Sequence, residues 1–338
     1  MLGLEDPQES LMKIETAASG KAFLSGEYMA LDGGRAIILS TPQSAKVSIS
    51  ETNETSNTLF SSMSDHGYPF LIDEKLKIVW LEEDPKQLGS ILNEGINQFN
   101  KGFSGKSITI DTSDFFYRER KIGIGSSAAV SVALTKALNK LLDLRLTSKA
   151  TIDYSREIHN RSQDSLGSGF DVIASFMKER SLSCQLYGHE SYKYEEIKLP
   201  EEIKIFAVAN NACSQTSQMI NRYEFAKNKY EDYFSKHAPK MKSELESLHD
   251  AILKNDPILM MNYLTRYNEL LVEMDKKFSI GVFDHHHDLI NLAKDHGVFY
   301  KPSGSGGGDL GLLISPDKIR LDKICSELVS KGLYLFEI

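Results

Sequence analysis

Apolar residues recur at helical spacing most clearly over residues 126–142, where Val130, Leu134, Ala137, Leu138 and Leu141 share one face. The pattern predicts a helix there and a second one over about 149–161. Longer helical patterns cover about 217–237, 241–255, 257–277 and 288–295. Strand-like segments stand at 22–24 and 36–39 around a Gly33-Gly34 turn, with alternation over 45–51 and again over 107–111. A joint is expected over 198–202, where Leu199-Pro200 precedes a strand at 203–209. The chain closes with a strand (310–314), a helix (317–331) and a last strand (334–338). Strands, then helices, then a β–α–β ending predict an α+β class with two domains, over 1–198 and 199–338, rather than one doubly wound sheet.

Composition narrows the picture. A chain of 338 residues can build two substantial cores, and 41% hydrophobic with 25% charged residues is ordinary globular usage. A net charge of −8 argues against nucleic-acid binding through a broad basic face. An anionic substrate therefore needs locally gathered Lys and Arg. Cys184, Cys213 and Cys325 are far apart and odd in number, which suits neither a disulfide framework nor a zinc cluster. Glu5, Asp6, Glu9 and Glu15 leave no apolar signal core near the start, and no apolar run reaches membrane-spanning length. The expectation is a soluble, reduced, cytoplasmic protein.

The chemistry concentrates in four stretches. Residues 121–133 run Lys-Ile-Gly-Ile-Gly-Ser-Ser-Ala-Ala-Val-Ser-Val-Ala, a flexible loop that becomes a helix at Ser126. Such a start presents unpaired N–H groups and the positive end of the helix dipole, which suit a phosphate. Gly123 and Gly125 let an anion approach the backbone, while Ser126 or Ser127 can cap the helix or touch a metal. The alternative is a plain loop before a core helix. A Gly-Lys-Ser/Thr P-loop is absent. The spacing Gly123, Gly125, Ala128 matches a dinucleotide fingerprint, but the charged run 117–121 stands where the leading strand belongs.

Residues 301–309, Lys-Pro-Ser-Gly-Ser-Gly-Gly-Gly-Asp, are costly in entropy as a mere turn, so a ligand or another backbone is expected to approach closely, the alternative being a flexible surface loop. Asp171 follows a Gly-Ser-Gly turn before an apolar run and reads as a base, a cation ligand or a helix cap. Lys21, between a glycine turn and an apolar strand, is either an inward fixed charge or a solvated surface group. The run Asp284-His285-His286-His287-Asp288 reads as a solvated helix start, since three consecutive histidines cannot face one ion from a helix.

Together and in this order, these stretches resemble the galactokinase, homoserine kinase, mevalonate kinase and phosphomevalonate kinase (GHMP) superfamily. Gly123-Ile124-Gly125-Ser126-Ser127-Ala128-Ala129 resembles its Gly-Leu-Gly-Ser-Ser-Ala-Ala loop. Gly26-Glu27-Tyr28, Lys121, His159 and Gln163 before Gly167-Ser168-Gly169-Phe170-Asp171-Val172, and Ser303-Gly304-Ser305-Gly306-Gly307-Gly308-Asp309 resemble the phosphomevalonate kinase branch, which includes an archaeal variant acting on the 5-hydroxyl of mevalonate 3-phosphate. The chain departs from the pattern at Ser19, in place of proline. It departs again at Ala209-Asn210-Asn211, although Ser214-Gln215-Thr216 keeps a Ser-x-Thr.

The resemblance implies a two-domain α+β GHMP kinase fold, with a ribosomal protein S5 domain 2-like N-terminal part and a ferredoxin-like C-terminal part with extra helices. It implies Lys21 and Asp171 as catalytic residues. ATP would be held by Lys121, Gly123, Ile124, Gly125, Ser126, Ser127 and Ala128, with Ser127 also on Mg²⁺. Tyr28, His159, Ser168, Ser214, Thr216, Ser303, Gly304, Ser305 and Gly306 would border the acceptor, with Lys301 and Arg222 as further candidates for holding its anion. The implied partner is a small phosphorylated mevalonate, without nucleic acid or membrane, and a homodimer is compatible with it. A non-catalytic ligand-binding regulator, or a kinase for another small alcohol, is the alternative.

Overall fold

The structure is a computed structural model and describes residues 13–163, 167–178, 180–187, 191–210 and 216–338. In chain order it opens with strands β1 (Lys13–Ser25), β2 (Ala36–Glu51), β3 (Asn57–Ser61), β4 (Tyr68–Ile72) and β5 (Ile78–Trp80). Helix α1 (Gln87–Phe99), strand β6 (Lys106–Asp111) and the short pair β7 (Phe116–Tyr117) and β8 (Arg120–Lys121) follow. Then come helices α2 (Ser126–Leu141), α3 (Ser148–Ser162) and α4 (Phe170–Met177), and strands β9 (Ser181–Tyr187), β10 (Ser191–Ile197) and β11 (Lys204–Ala209). Helices α5 (Thr216–Lys229), α6 (Glu231–Leu253), α7 (Pro257–Phe278) and α8 (His287–Asp295) lead into β12 (Phe299–Pro302), β13 (Leu310–Ser315), α9 (Lys318–Ser330) and β14 (Tyr334–Glu337).

The described residues form two compact units that interleave along the chain. One comprises 13–18, 45–113 and 129–163; the other comprises 19–44, 114–128 and 167–338. The architecture is α+β, as the alternation of patterns implies.

In the first unit β6 pairs antiparallel with β2 over Lys46–Glu51 and parallel with β3, and β4 and β5 extend the sheet antiparallel. Alternate residues Val47, Ile49, Ile108 and Ile110 are buried, as a half-covered sheet requires. Helix α1 buries Ile91, Leu92 and Ile96, and Gly95 leaves room for Leu138 and Ile158. Thr147 caps α3 by accepting the Ala150 N–H at 3.2 Å, a contact worth about 1 kcal/mol.

In the second unit β2 pairs with β9 over Ala36–Leu39, and β9 pairs with β10. A four-stranded antiparallel sheet runs β12-β13-β11-β14. Helix α9 packs Leu321, Ile324 and Leu328 with Val208 and Leu313 of that sheet. The long helices α5, α6 and α7 enclose Tyr223, Met241, Leu245, Tyr267, Leu271, Met274 and Phe278, and the same core takes up Tyr28 and Met29. Asp256 starts α7, its carboxylate accepting the Leu259 N–H at 2.9 Å, with Pro257 in the first turn where its missing N–H costs nothing.

One boundary and one burial differ from the sequence pattern. The break expected near 238–240 lies at Tyr230 instead, and Pro239 sits inside α6. A proline within a helix costs about 3 kcal/mol. His237, Ala238, Met241 and Leu245 form one continuous buried face across it, and burying a large apolar side chain returns about 1.5–3 kcal/mol each. The histidine run begins α8 as expected, but only His285 and His287 are exposed. His286 is fully buried, its Nδ1 2.8 Å from the Tyr300 hydroxyl. Among the described residues, no helix is long and apolar enough to cross a membrane.

Candidate active site

The site lies within the second unit and is built from three segments and the start of α4. The first is β1. The Lys21 N–H donates to the Ile124 carbonyl at 2.8 Å, which ties the strand to the loop before α2. Gly20 allows that approach, because a Cβ there would stand 2.9 Å from the Ile124 carbonyl oxygen and 2.5 Å from Thr41 Oγ1.

The second segment is that loop. Gly125 has φ 79°, and a Cβ on it would fall 2.8 Å from Lys21 Cε. The lysine stem therefore lies across the loop just where the first N–H groups of α2 emerge. Ile124 is fully buried and contributes backbone only, Ser126 is nearly buried, Ser127 is half-buried in the first turn, and Ala128 is core. Lys121, on β8, is exposed. A cradle that a side chain would fill, at a helix N-terminus and beside a lysine, fits the phosphates of a nucleotide. Mg²⁺ takes oxygen donors and keeps several waters, so the Ser127 hydroxyl fits as one ligand.

The third segment is the glycine-rich loop. It packs closely against other backbone: a Cβ on Gly306 would lie 2.3 Å from the Val282 carbonyl oxygen, and the Gly307 N–H donates to that oxygen at 3.0 Å. The Ser303 hydroxyl accepts the Phe23 N–H at 2.8 Å and donates to the Phe23 carbonyl at 3.0 Å, sewing the loop to β1. Tyr28, held at φ 63°, donates its hydroxyl to the Ser305 carbonyl at 2.6 Å. Burial, with Asp275 and Glu27 nearby, pushes the Tyr28 pKa well above that of an ordinary tyrosine. Thr216, at the start of α5, places Oγ1 3.4 Å from Ser305 Oγ.

Asp171 occupies the first turn of α4 behind Gly169, which has φ 70°. It is not the N-cap. Its Oδ1 accepts the Val172 N–H at 2.9 Å, and the Ser168 hydroxyl accepts the Phe170 N–H at 3.4 Å. A helix N-terminus favours a negative charge there. Burial pushes the Lys21 ammonium below its ordinary pKa; Asp171 and then Asp309 oppose that, Lys121 adds to it, and Glu27 opposes it weakly. Lys21 and Asp171 thus belong to one electrostatic cluster.

Other expected residues lie elsewhere. His159 is on α3 in the first unit, buried, with Nε2 3.0 Å from Gln163 Nε2. Ser214 lies outside the described residues. Lys301 is engaged within the fold. Its Nζ is fully buried, paired with Glu27 and donating to the Pro302 carbonyl at 2.5 Å. Arg222 is exposed and donates to the Ile280 carbonyl at 3.0 Å.

Sequence reasoning gave no role to Glu27 or Asp309. The signal for Asp309 was present: an acid between a glycine run and an apolar strand, the same context that singled out Asp171.

Known proteins agree with this architecture. Residues 91–179 match the family model described as GHMP kinases N terminal domain. The chain carries the fold of the GHMP kinases, and the match to that family's model is confined to its residues 91–179. A phosphomevalonate kinase from Streptomyces sp. (strain CL190) is 22% identical over 335 residues, 88% of each chain. The Listeria innocua protein Lin0012 superposes with a TM-score of 0.83 at 18% identity, covering 96% of this chain and 97% of its own. A Streptococcus pneumoniae phosphomevalonate kinase, solved in complex with phosphomevalonate and AMPPNP, gives a TM-score of 0.77 at 19% identity, covering 96% of this chain and 100% of its own. Solved mevalonate kinases and a galactokinase share the fold, so the fold does not select the acceptor.

Proposed function

We propose that this chain is an ATP-dependent kinase that phosphorylates a mevalonate monophosphate. The observation that supports it most is the placement of Lys21: its stem covers Gly125 of the helix-start loop, and its ammonium shares one electrostatic cluster with Asp171. Residues 1–198 would carry nucleotide binding, and residues 199–338 would complete the acceptor side.

Phosphoryl transfer needs positioning and charge neutralisation more than covalent chemistry from the protein. Bound ATP supplies the transferred group, and Mg²⁺ held in part by Ser127 supplies charge neutralisation. The backbone N–H groups from Gly123 to Ala128 would hold phosphate oxygens, with Lys121 at the rim. Lys21 would place a fixed positive charge where negative charge develops. Asp171 would orient the acceptor and take its proton. Tyr28 and Ser303 contribute by holding the glycine loop, while Ser168, Thr216, Ser305 and the backbone at Gly304 and Gly306 would border the acceptor.

Two acceptors fit the chemistry. In 5-phosphomevalonate the nucleophile is a phosphate with a second pKa of about 6, already ionised at neutral pH. In mevalonate 3-phosphate it is the 5-hydroxyl, which needs a base, and Asp171 supplies one. ADP release measured with mevalonate, mevalonate 3-phosphate and 5-phosphomevalonate tests the reading. Turnover is expected with one monophosphate well above that with mevalonate. No ATP turnover with any of the three would support a ligand-binding regulator instead.

A further inference from the structure

We propose that Asp309 is a positioning residue for Lys21, fixing the lysine ammonium over the phosphate loop together with Asp171. The glycine loop is closed at its base, since the Ser303 N–H donates to the Leu310 carbonyl at 2.9 Å. Gly304 and Asp309 therefore stand side by side at its two ends. At one end, a Cβ on Gly304 would lie 3.5 Å from Lys21 Nζ. At the other, a Cβ on Gly123 would lie 2.6 Å from the Asp309 side chain at its own Cβ, so Asp309 abuts the phosphate loop directly. The Asp309 carbonyl accepts the Asn210 N–H at 2.9 Å, which fixes the backbone from a third side. β1 completes the enclosure through the paired Ser303–Phe23 contacts.

This placement has a physical purpose. A lysine taken out of water tends to lose its proton, and a neutral amine cannot offset phosphate charge. The charged groups acting on Lys21 are Asp171, Asp309, Lys121 and Glu27. Burial and Lys121 favour the neutral amine, whereas Asp171 and Asp309 are the main groups that keep it charged. Glu27 is already committed to Lys301. Asp309 starts no helix, for it precedes strand β13, so capping does not account for it. One carboxylate near the reacting centre then remains for the acceptor, while the other holds the lysine.

The inference rests on the kinase reading of this site, but its first test needs no turnover. The full-length protein, without substrates, is acetylated with acetic anhydride across a pH series, and labelling at Lys21 is quantified by mass spectrometry. Asp309→Asn is expected to move the onset of Lys21 labelling to lower pH, whereas Asp309→Glu should track the wild type. In turnover, the alkaline limb of kcat/KM should move the same way, with activity on that limb falling about tenfold for each pH unit of displacement. The KM for ATP should change far less than kcat. An unchanged labelling onset in Asp309→Asn would overturn the proposal, as would equal displacement in Asp309→Glu. Loss of folding in Asp309→Asn, read by circular dichroism, would mark a merely structural role and also overturn it. Failure of the kinase reading would show separately, as wild-type protein that titrates Lys21 as described yet consumes no ATP.

Discussion

Gly125 carries the sharpest prediction at the scale of single residues. Its φ of 79° is strained for any L side chain, and the space beside it is filled by the Lys21 stem. Gly125→Val should displace the lysine and abolish ATP binding measured by calorimetry, whereas Ser127→Ala, which removes one oxygen ligand replaceable by water, should weaken it only partly. Unchanged affinity in the valine variant would show that the loop is not the phosphate cradle. Asp171→Asn keeps the size of the side chain but removes base and charge. Its kcat should fall by about 10²–10⁴-fold with ATP affinity near normal, toward the larger end for a hydroxyl acceptor and the smaller end for a phosphate. The sequence singles out these residues because each sits at a glycine-marked change of backbone direction. Asp309 was equally marked. Lys301 was not readable, because nothing local in the sequence says that a lysine after a strand will meet Glu27 some 270 positions away.

That pair belongs to the scale of elements, since it joins the end of β1 to β12. Both side chains are almost wholly buried, and Glu27 Oε2 has no hydrogen-bond partner. Removing one member of a buried pair strands the other charge. Lys301→Met should therefore cost about 3–5 kcal/mol in urea unfolding, and Glu27→Leu combined with Lys301→Met should recover part of that loss. A double variant as unstable as the sum of the single ones would contradict the pairing. At the start of α8, burial and the nearby Lys301, His285 and His287 bring the His286 pKa down to about 4, from an ordinary 6.5. The folded protein thus refuses a proton that the unfolded chain accepts below about pH 6.5. Stability from this group is complete above that pH and declines as pH falls toward 4, by up to about 3 kcal/mol. His286→Gln should flatten this part of the stability profile in urea titrations at pH 7 and 5. An equal slope in both proteins would sink the assignment.

Elements were legible where one periodicity persisted. Helix α2 and helix α7 followed from apolar spacing and their start signals. Strand β2 was read as two pieces around Pro42, yet it is continuous: it pairs with β9 up to Leu39 and with β6 from Lys46, so the proline falls between the two pairings. The short α4 and the exposed, Tyr-, Lys- and Glu-rich β10 give no periodic signal of their own. Pairing with distant partners makes them, and that information is not local.

On the scale of the whole molecule, the order of motifs said more than any one of them. The loop at 121–128, Asp171 and the glycine loop at 303–309 lie far apart in sequence, and the fold gathers them around Lys21 in one unit. Glycine placement and a helix start are local features, and on these the sequence alone points to a phosphate. The sequence leaves the acceptor open, since at Ala209-Asn210-Asn211 it departs from the branch it resembles. The central claim is transfer of a phosphoryl group from ATP to a mevalonate monophosphate, and ³¹P NMR of the product tests it most directly. Incubation with ATP, Mg²⁺ and each monophosphate in turn should yield either a diphosphate signal from 5-phosphomevalonate or a second monoester signal from mevalonate 3-phosphate, and Lys21→Met should yield neither at a comparable rate. ATP left intact with both acceptors, or Lys21→Met forming product as fast as the wild type, would contradict it.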